Sequence, residues 1–186
     1  APISPSTGNQ TSNEFEKIEV PERIALYWEN TTAPHPERKR WSDLIIETFR
    51  KDLAVYSKAT DILDFCPKFA SLSAQDRLKA FGALWVAVAY YESGFNPTSA
   101  SVDVGKPELK DTWSVGLYQM SVVDQKNYKL DFGFKYDDLL KPLPNIKLAL
   151  AIFKRQIENR KYIAIPSPNP GLYWAVLRPG GKYDKS

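Results

Sequence analysis

The 186-residue chain predicts a mainly α protein, and three observations carry that prediction. Apolar residues recur at helical spacing in three separate stretches, and residues that start or stop helices flank them. Runs that alternate apolar and polar residues with a period of two are scarce. The composition, 43% hydrophobic, 13% aromatic and 25% charged, belongs to a globular chain that can bury a core, and 9 Gly with 14 Pro are too few for a low-complexity one.

Residues 1–13 are polar, Pro-containing and short of large apolar groups, which reads as a disordered end or tether, and residues 14–186 read as a single domain. Apolar residues return over 15–28, and a loop follows over 31–40, with His35 between Pro34 and Pro36. Ser42 is placed to cap a first helix, with Asp43 in its first turn and Ile45, Phe49, Leu53 and Tyr56 on one face. Ser73 and Asp76 have capping-box spacing and open a second helix through Leu78, Phe81, Leu84, Trp85 and Val88 toward Glu92, where Gly94 ends it. A third, amphipathic helix is predicted over 145–160, with Ile146, Ala149, Leu150, Phe153 and Ile157 on its apolar side. The Pro-rich run 165–171 reads as a loop, and no internal repeat is present.

Several function classes fall away. The 25 Lys plus Arg against 22 Asp plus Glu leave a formal charge of +3, too small to argue for nucleic acid. Cys66 has no partner for an intramolecular disulfide, and its neighbours Phe65 and Phe69 suggest a buried thiol acting as a small hydrophobe. With His35 as the one histidine, no Cys/His zinc site can be assembled, so no metal is expected. The longest apolar run, 83–91, is far short of a membrane span. The chain starts with Ala1 and no leader-like segment, and it is expected to be a processed or truncated form. Gly180, Gly181 and Lys182 lack the rest of a phosphate loop. The cluster 38–40 reads as solvated arginine and lysine, with contact to an anionic polymer as the alternative.

The informative segment is 81–91, which is apolar or aromatic on every side and therefore predicts a helix buried in the middle of the domain. Glu92 follows it directly. A carboxylate there is poorly hydrated and faces the negative end of the helix dipole, and both effects raise its pKa toward the range a general acid needs. The same position also suits a carboxylate that simply reaches solvent where the helix surfaces. The flanking strings separate the two readings.

Glu92, Ser93, Gly94, Phe95, Asn96 and Pro97 are followed, after a loop, by Ser114, Val115, Gly116, Leu117, Tyr118, Gln119 and Met120. A third block, Leu139 to Pro142 and then Asn145 and Ile146, precedes the third helix. This ordered set resembles the soluble lytic transglycosylases and goose-type lysozymes, over about residues 73–181. The resemblance implies a lysozyme-like fold in which the buried central helix ends at the catalytic acid, Glu92. That acid protonates the bond between N-acetylmuramic acid and N-acetylglucosamine in peptidoglycan. It further implies that Ser93 helps position Glu92 and substrate, that Gln119 lines the cleft, and that Gly116 and Leu117 shape its backbone. Ser114 and Tyr118 are candidate substrate contacts, Tyr118 standing where the family usually has Met. The family's closing Tyr-Asn pair is missing, and Tyr173 or Trp174 is left to supply its aromatic, with Trp174 taken as a substrate contact. Trp113 is a further candidate for the cleft.

The family resemblance implies that a lytic transglycosylase needs no second carboxylate: the muramic acid C6 hydroxyl attacks C1 and a 1,6-anhydro sugar forms. A hydrolytic lysozyme places a water instead, and Asp111, eight positions before Gln119, is the candidate to hold it. The acids of the loop 98–113, set against Lys106 and Lys110, also raise the expectation of a preference for deacetylated sugars. A glycan-binding protein without turnover is the reading from another class. The expected partner is the peptidoglycan strand, not nucleic acid or a membrane; the chain is expected to be an exported, periplasmic or extracellular monomer, with no cofactor.

Overall fold

A computed structural model describes residues 22–164 and 173–177. The order of helices is α1 (Lys39–Lys51), α2 (Leu53–Tyr56), α3 (Ile62–Phe65), α4 (Ala74–Ser93), α5 (Val122–Asn127), α6 (Tyr136–Leu139) and α7 (Pro142–Arg160). One small antiparallel pair lies between α4 and α5: β1 (Ala100–Ser101) and β2 (Ser114–Val115), with Ala100 opposite Val115. The expected mainly helical class is the observed one. The tether 1–13 and the loop 165–171 fall outside the described residues.

Helix α1 packs against both α4 and α7, and the seam between them is aromatic. Phe49 stacks on Phe81 at 5.2 Å and meets Trp85 edge-on at 6.1 Å, while Trp85 lies 4.7 Å from Phe153. Each buried ring contributes about 1.5–3 kcal/mol of transfer free energy, and each well-set pair about 0.5–1.5 kcal/mol more. This seam is the fixed platform from which the end of α4 projects.

Helix α4 begins and ends as its sequence predicts. The Ser73 hydroxyl accepts from the Asp76 amide at 3.1 Å, and Gly94 closes the helix in the left-handed region at φ 59°. The other two start signals place their helices late, by four residues for the first and three for the third. Helix α1 begins at Lys39, and Ser42 is a fully buried interior residue whose Oγ accepts from Trp28 Nε1 at 2.9 Å. Helix α7 begins at Pro142, whose fixed φ and missing N–H suit a first helical position. Asn145 is thereby left inside the first turn.

Three further expectations change. Helix α4 is not enclosed all round: Ala83, Ala87, Tyr90 and Tyr91 reach solvent along one face. Cys66 is half-buried at the core margin instead of enclosed. Arg38 is not a solvated cation, because it donates to the Trp28 carbonyl at 2.9 Å and lies over the Phe95 ring at 5.3 Å. His35 is held near the surface, with Nδ1 3.2 Å from Glu37 Oε1.

Candidate active site

Glu92 occupies the last turn of α4, half-buried, where the helix leaves the aromatic seam. Burial pushes its carboxyl up to about 7. Among the described residues it accepts no hydrogen bond and forms no ion pair, so nothing offsets the cost of ionising it there. Its neighbour Ser93 ties the helix end to the second motif: Ser93 Oγ lies 3.0 Å from the carbonyl oxygens of both Ala89 and Leu117.

The second motif is a closed turn. Val115 and Met120 exchange amide-to-carbonyl bonds at 2.9 Å, and Gly116 donates to Ser99 O at 2.8 Å. Gly116 holds φ 78°, and a Cβ there would overlap both the Asn145 amide and the Leu139 carbonyl, so glycine is needed for backbone angle and for space. Gln119, at φ 52°, folds its side chain inward: Nε2 donates to Gly116 O at 3.0 Å and Ser99 O at 3.4 Å, and Oε1 accepts from Ser101 Oγ at 2.9 Å. Both amide hydrogens are spent on the turn. Gln119 therefore braces the wall of the site.

Other sequence candidates land elsewhere. Tyr118 is wholly buried; its hydroxyl donates to Trp85 O at 3.1 Å, and its ring stacks on Trp85 at 5.0 Å. Trp174, 2% exposed, packs edge-on against the same Trp85. Both belong to the platform beneath the site, because large rings beside the aromatic seam gain more from packing there than from meeting sugar. Ser114 is half-buried in β2. Trp113 is also half-buried and meets Tyr136 edge-on at 6.0 Å. Asp111 is exposed in the single turn Lys110–Thr112, and the Glu92 shift takes no contribution from it. Of the other loop acids, Asp103 turns back on the Gly105 amide at 3.0 Å and Glu108 is exposed.

Three residues matter more than the sequence suggests. Fully buried Asn145 donates through Nδ2 to Val115 O at 2.8 Å and Leu139 O at 2.9 Å, and its Oδ1 accepts from the Tyr118 amide at 2.9 Å. It clamps the second motif to α7. Tyr173 packs against Trp174 at 4.8 Å, and its phenol is held well above the usual range by burial first, then by the charge and hydrogen bond of Asp124. The hydroxyl lies 3.1 Å from Gln119 O and donates to Asp124, whose carboxylate also accepts from the Ser121 amide at the start of α5. The capping-box spacing of Ser121 and Asp124 was the one available signal for that anchor. Among the described residues no cluster of His, Cys, Asp and Glu is set to hold a metal ion, and no helix is long and apolar enough to cross a membrane.

The fold has known counterparts. The solved structure of Bd0314 DslA, wild-type form 2, superposes with a TM-score of 0.70 at 24% identity, covering 88% of this chain and 92% of that one. Two Glu-to-Gln mutants of the same protein give TM-scores of 0.66 and 0.65 at 24% and 23% identity, with the same coverage. No curated protein matches the chain. The sequence pattern of the transglycosylase SLT domain matches residues 71–172, a span that holds Glu92, the braced turn and the Asn145 clamp. The chain belongs to the transglycosylase SLT family, which acts on peptidoglycan.

Proposed function

We propose that this protein is a lytic transglycosylase that cuts the β-1,4 bond between N-acetylmuramic acid and N-acetylglucosamine, with Glu92 as its one acid and base. The observation that carries this reading is the state of Glu92: half-buried, unpartnered and pushed up to about 7 by burial alone. No second carboxylate contributes to that shift, which supports a reading with one catalytic carboxyl. Protonated Glu92 gives its proton to the glycosidic oxygen as the C1–O bond breaks. The resulting carboxylate then takes the proton of the muramic acid C6 hydroxyl as O6 bonds to C1. The 1,6-anhydro product leaves Glu92 protonated for the next cycle, so protons balance within one residue and no water is consumed.

Ser93 fixes the helix end beside the second motif, Gln119 braces the turn, and Tyr173 ties that turn to Asp124. Peptidoglycan lies outside the cytoplasmic membrane, so the enzyme works there. Glu92→Gln keeps the shape of the side chain and removes its proton chemistry. It should lower turnover of purified sacculi by about 10²–10⁴-fold while the protein still sediments with them. An unchanged rate would sink the assignment.

A further inference from the structure

Between Ala89 and Val115 the chain has one buried residue, Phe95. It follows Glu92 closely, in the turn where the Asn96 amide donates back to the Ser93 carbonyl at 3.1 Å. Phe95 holds φ 66° directly after Gly94 at φ 59°. A phenylalanine in the left-handed region is strained, and it persists only where its surroundings hold it there. The ring of Phe95 is thus the anchor for the stretch of chain that leaves the acid, and Ser93, bonded to the Leu117 carbonyl, is the second tie.

The anchor is held largely by residues that precede the matched span 71–172. Trp28 meets the Phe95 ring edge-on at 5.8 Å, and the Arg38 guanidinium lies over it at 5.3 Å and over Trp41 at 5.7 Å. Tyr90, in the last turn of α4, adds a tilted contact at 5.5 Å and is itself exposed. Arg38 is a costly residue in that place. Its side chain is 13% exposed, and its Nε is buried without a hydrogen bond, 3.7 Å from the exposed Glu37 carboxylate. An apolar side chain would fill the same space without leaving that donor unpaired. What the cation adds is attraction to the face of Phe95 together with its bond to the Trp28 carbonyl at 2.9 Å, so one side chain joins both walls of the ring's site. Resting on the peptidoglycan reading above, we propose that Arg38 is a positioning residue for the cleavage: it holds Phe95 against Trp28, and through Phe95 it fixes the turn after the acid and the seat of the Glu92 carboxyl. It acts through shape, because the raised state of Glu92 comes from burial and takes no contribution from the charge of Arg38.

The test compares the full chain with Arg38→Gln, Arg38→Lys and Phe95→Leu on soluble peptidoglycan strands, and uses the buried core substitution Ile45→Val as a control for lost stability. Arg38→Gln should lower kcat about tenfold with KM within about twofold. It should also move the alkaline limb of kcat/KM down from about 7 by about one pH unit, because a loosened turn admits water to the Glu92 carboxyl and water favours the ionised form. Arg38→Lys keeps the charge and a donor and should recover most of both. Phe95→Leu should reproduce the Arg38→Gln signature, and the double variant should fall within about twofold of the slower single one, as two changes to one contact require. Ile45→Val should lower the melting temperature and leave the limb in place. An Arg38→Gln protein with the parent's limb would overturn the proposal whatever its rate, because a residue that only supports the fold leaves the acid's surroundings as they are. Additive losses from Arg38→Gln and Phe95→Leu would overturn it by separating the two residues, and a limb moved equally by Ile45→Val would overturn it by tying the limb to stability. Should Arg38→Gln not fold, Arg38→Met, which fills the same space without the charge, is held to the same outcomes. If the parent cuts no strand, the catalytic reading fails separately, and the Glu92 carboxyl titration followed by carbon NMR decides the inference: a midpoint lowered by Arg38→Gln keeps it, and an unmoved one ends it.

Discussion

Two glutamates in this chain are tuned in opposite directions, and the contrast shows what burial does with and without a partner. Glu29 is 4% exposed, and burial alone would raise it; hydrogen bonds from Arg23 at 2.9 and 3.0 Å, from Ser42 and from the Leu26 amide reverse the sign and hold it below the usual range. Its contribution to stability is present above the unfolded pKa and is lost as pH falls through the folded one. Glu92 has no such partners and stays raised. Above pH 4.5 the unfolded chain ionises it freely while the folded one resists, so stability falls as pH rises toward 7. Glu92→Gln should therefore stabilise the protein by about 2 kcal/mol at pH 8 and by almost nothing at pH 4, read from melting curves at both pH values. The raised acid also sets the rate profile: kcat/KM should drop about tenfold per pH unit above about 7, and a profile flat to pH 9 would assign the acid elsewhere. Glu92 was legible because its chemistry follows from its place on one helix. The pairing of Tyr173 with Asp124 was not, because 49 positions separate them and only the folded chain brings their side chains together.

At the scale of elements, the site is one helix end held against one turn. Asn145 supplies three of the bonds that hold the turn, so Asn145→Ala strands the Tyr118 amide and the Leu139 carbonyl in the interior and leaves the Val115 carbonyl only its bond from the Met120 amide. Such a loss costs about 3–5 kcal/mol, and Asn145→Asp, which keeps only the acceptor, should be nearly as costly. A urea titration checks both; an Asn145→Ala protein within about 1 kcal/mol of the parent would remove the clamp from the account. Helix α4 shows what pattern reading can and cannot do. Its caps were readable because Ser73 and Gly94 act locally. Its exposed face was not, because Ala83, Ala87, Tyr90 and Tyr91 follow helical spacing without carrying charge. Polarity marks a wet face only when the wet residues are polar. The starts of α1 and α7 slipped for a related reason: Ser42 answers a buried indole from Trp28, a demand that arises only in three dimensions.

For the whole molecule, the matched span 71–172 leaves out much of the core. Trp28, Trp41, Ile45, Ile46, Phe49 and Tyr56 precede it, and all are buried against α4 or α7 or against one another. A chain of residues 71–186 would expose those partners' faces on α4 and α7, at about 1.5–3 kcal/mol per missing large side chain. It should lack a cooperative thermal transition by circular dichroism, whereas residues 14–186 should melt like the full chain, as the expected single domain requires. A cooperative melt from residues 71–186 would show the N-terminal third to be an accessory.

The proposal that one raised carboxyl runs both halves of the reaction is tested most directly by the masses of soluble products from purified sacculi, acetylated and deacetylated in parallel. The account predicts muropeptides one water lighter than their reducing counterparts, absent with Glu92→Gln. Full-mass reducing muropeptides would contradict it, because they require a water and a group to hold it, and would turn attention to Asp111.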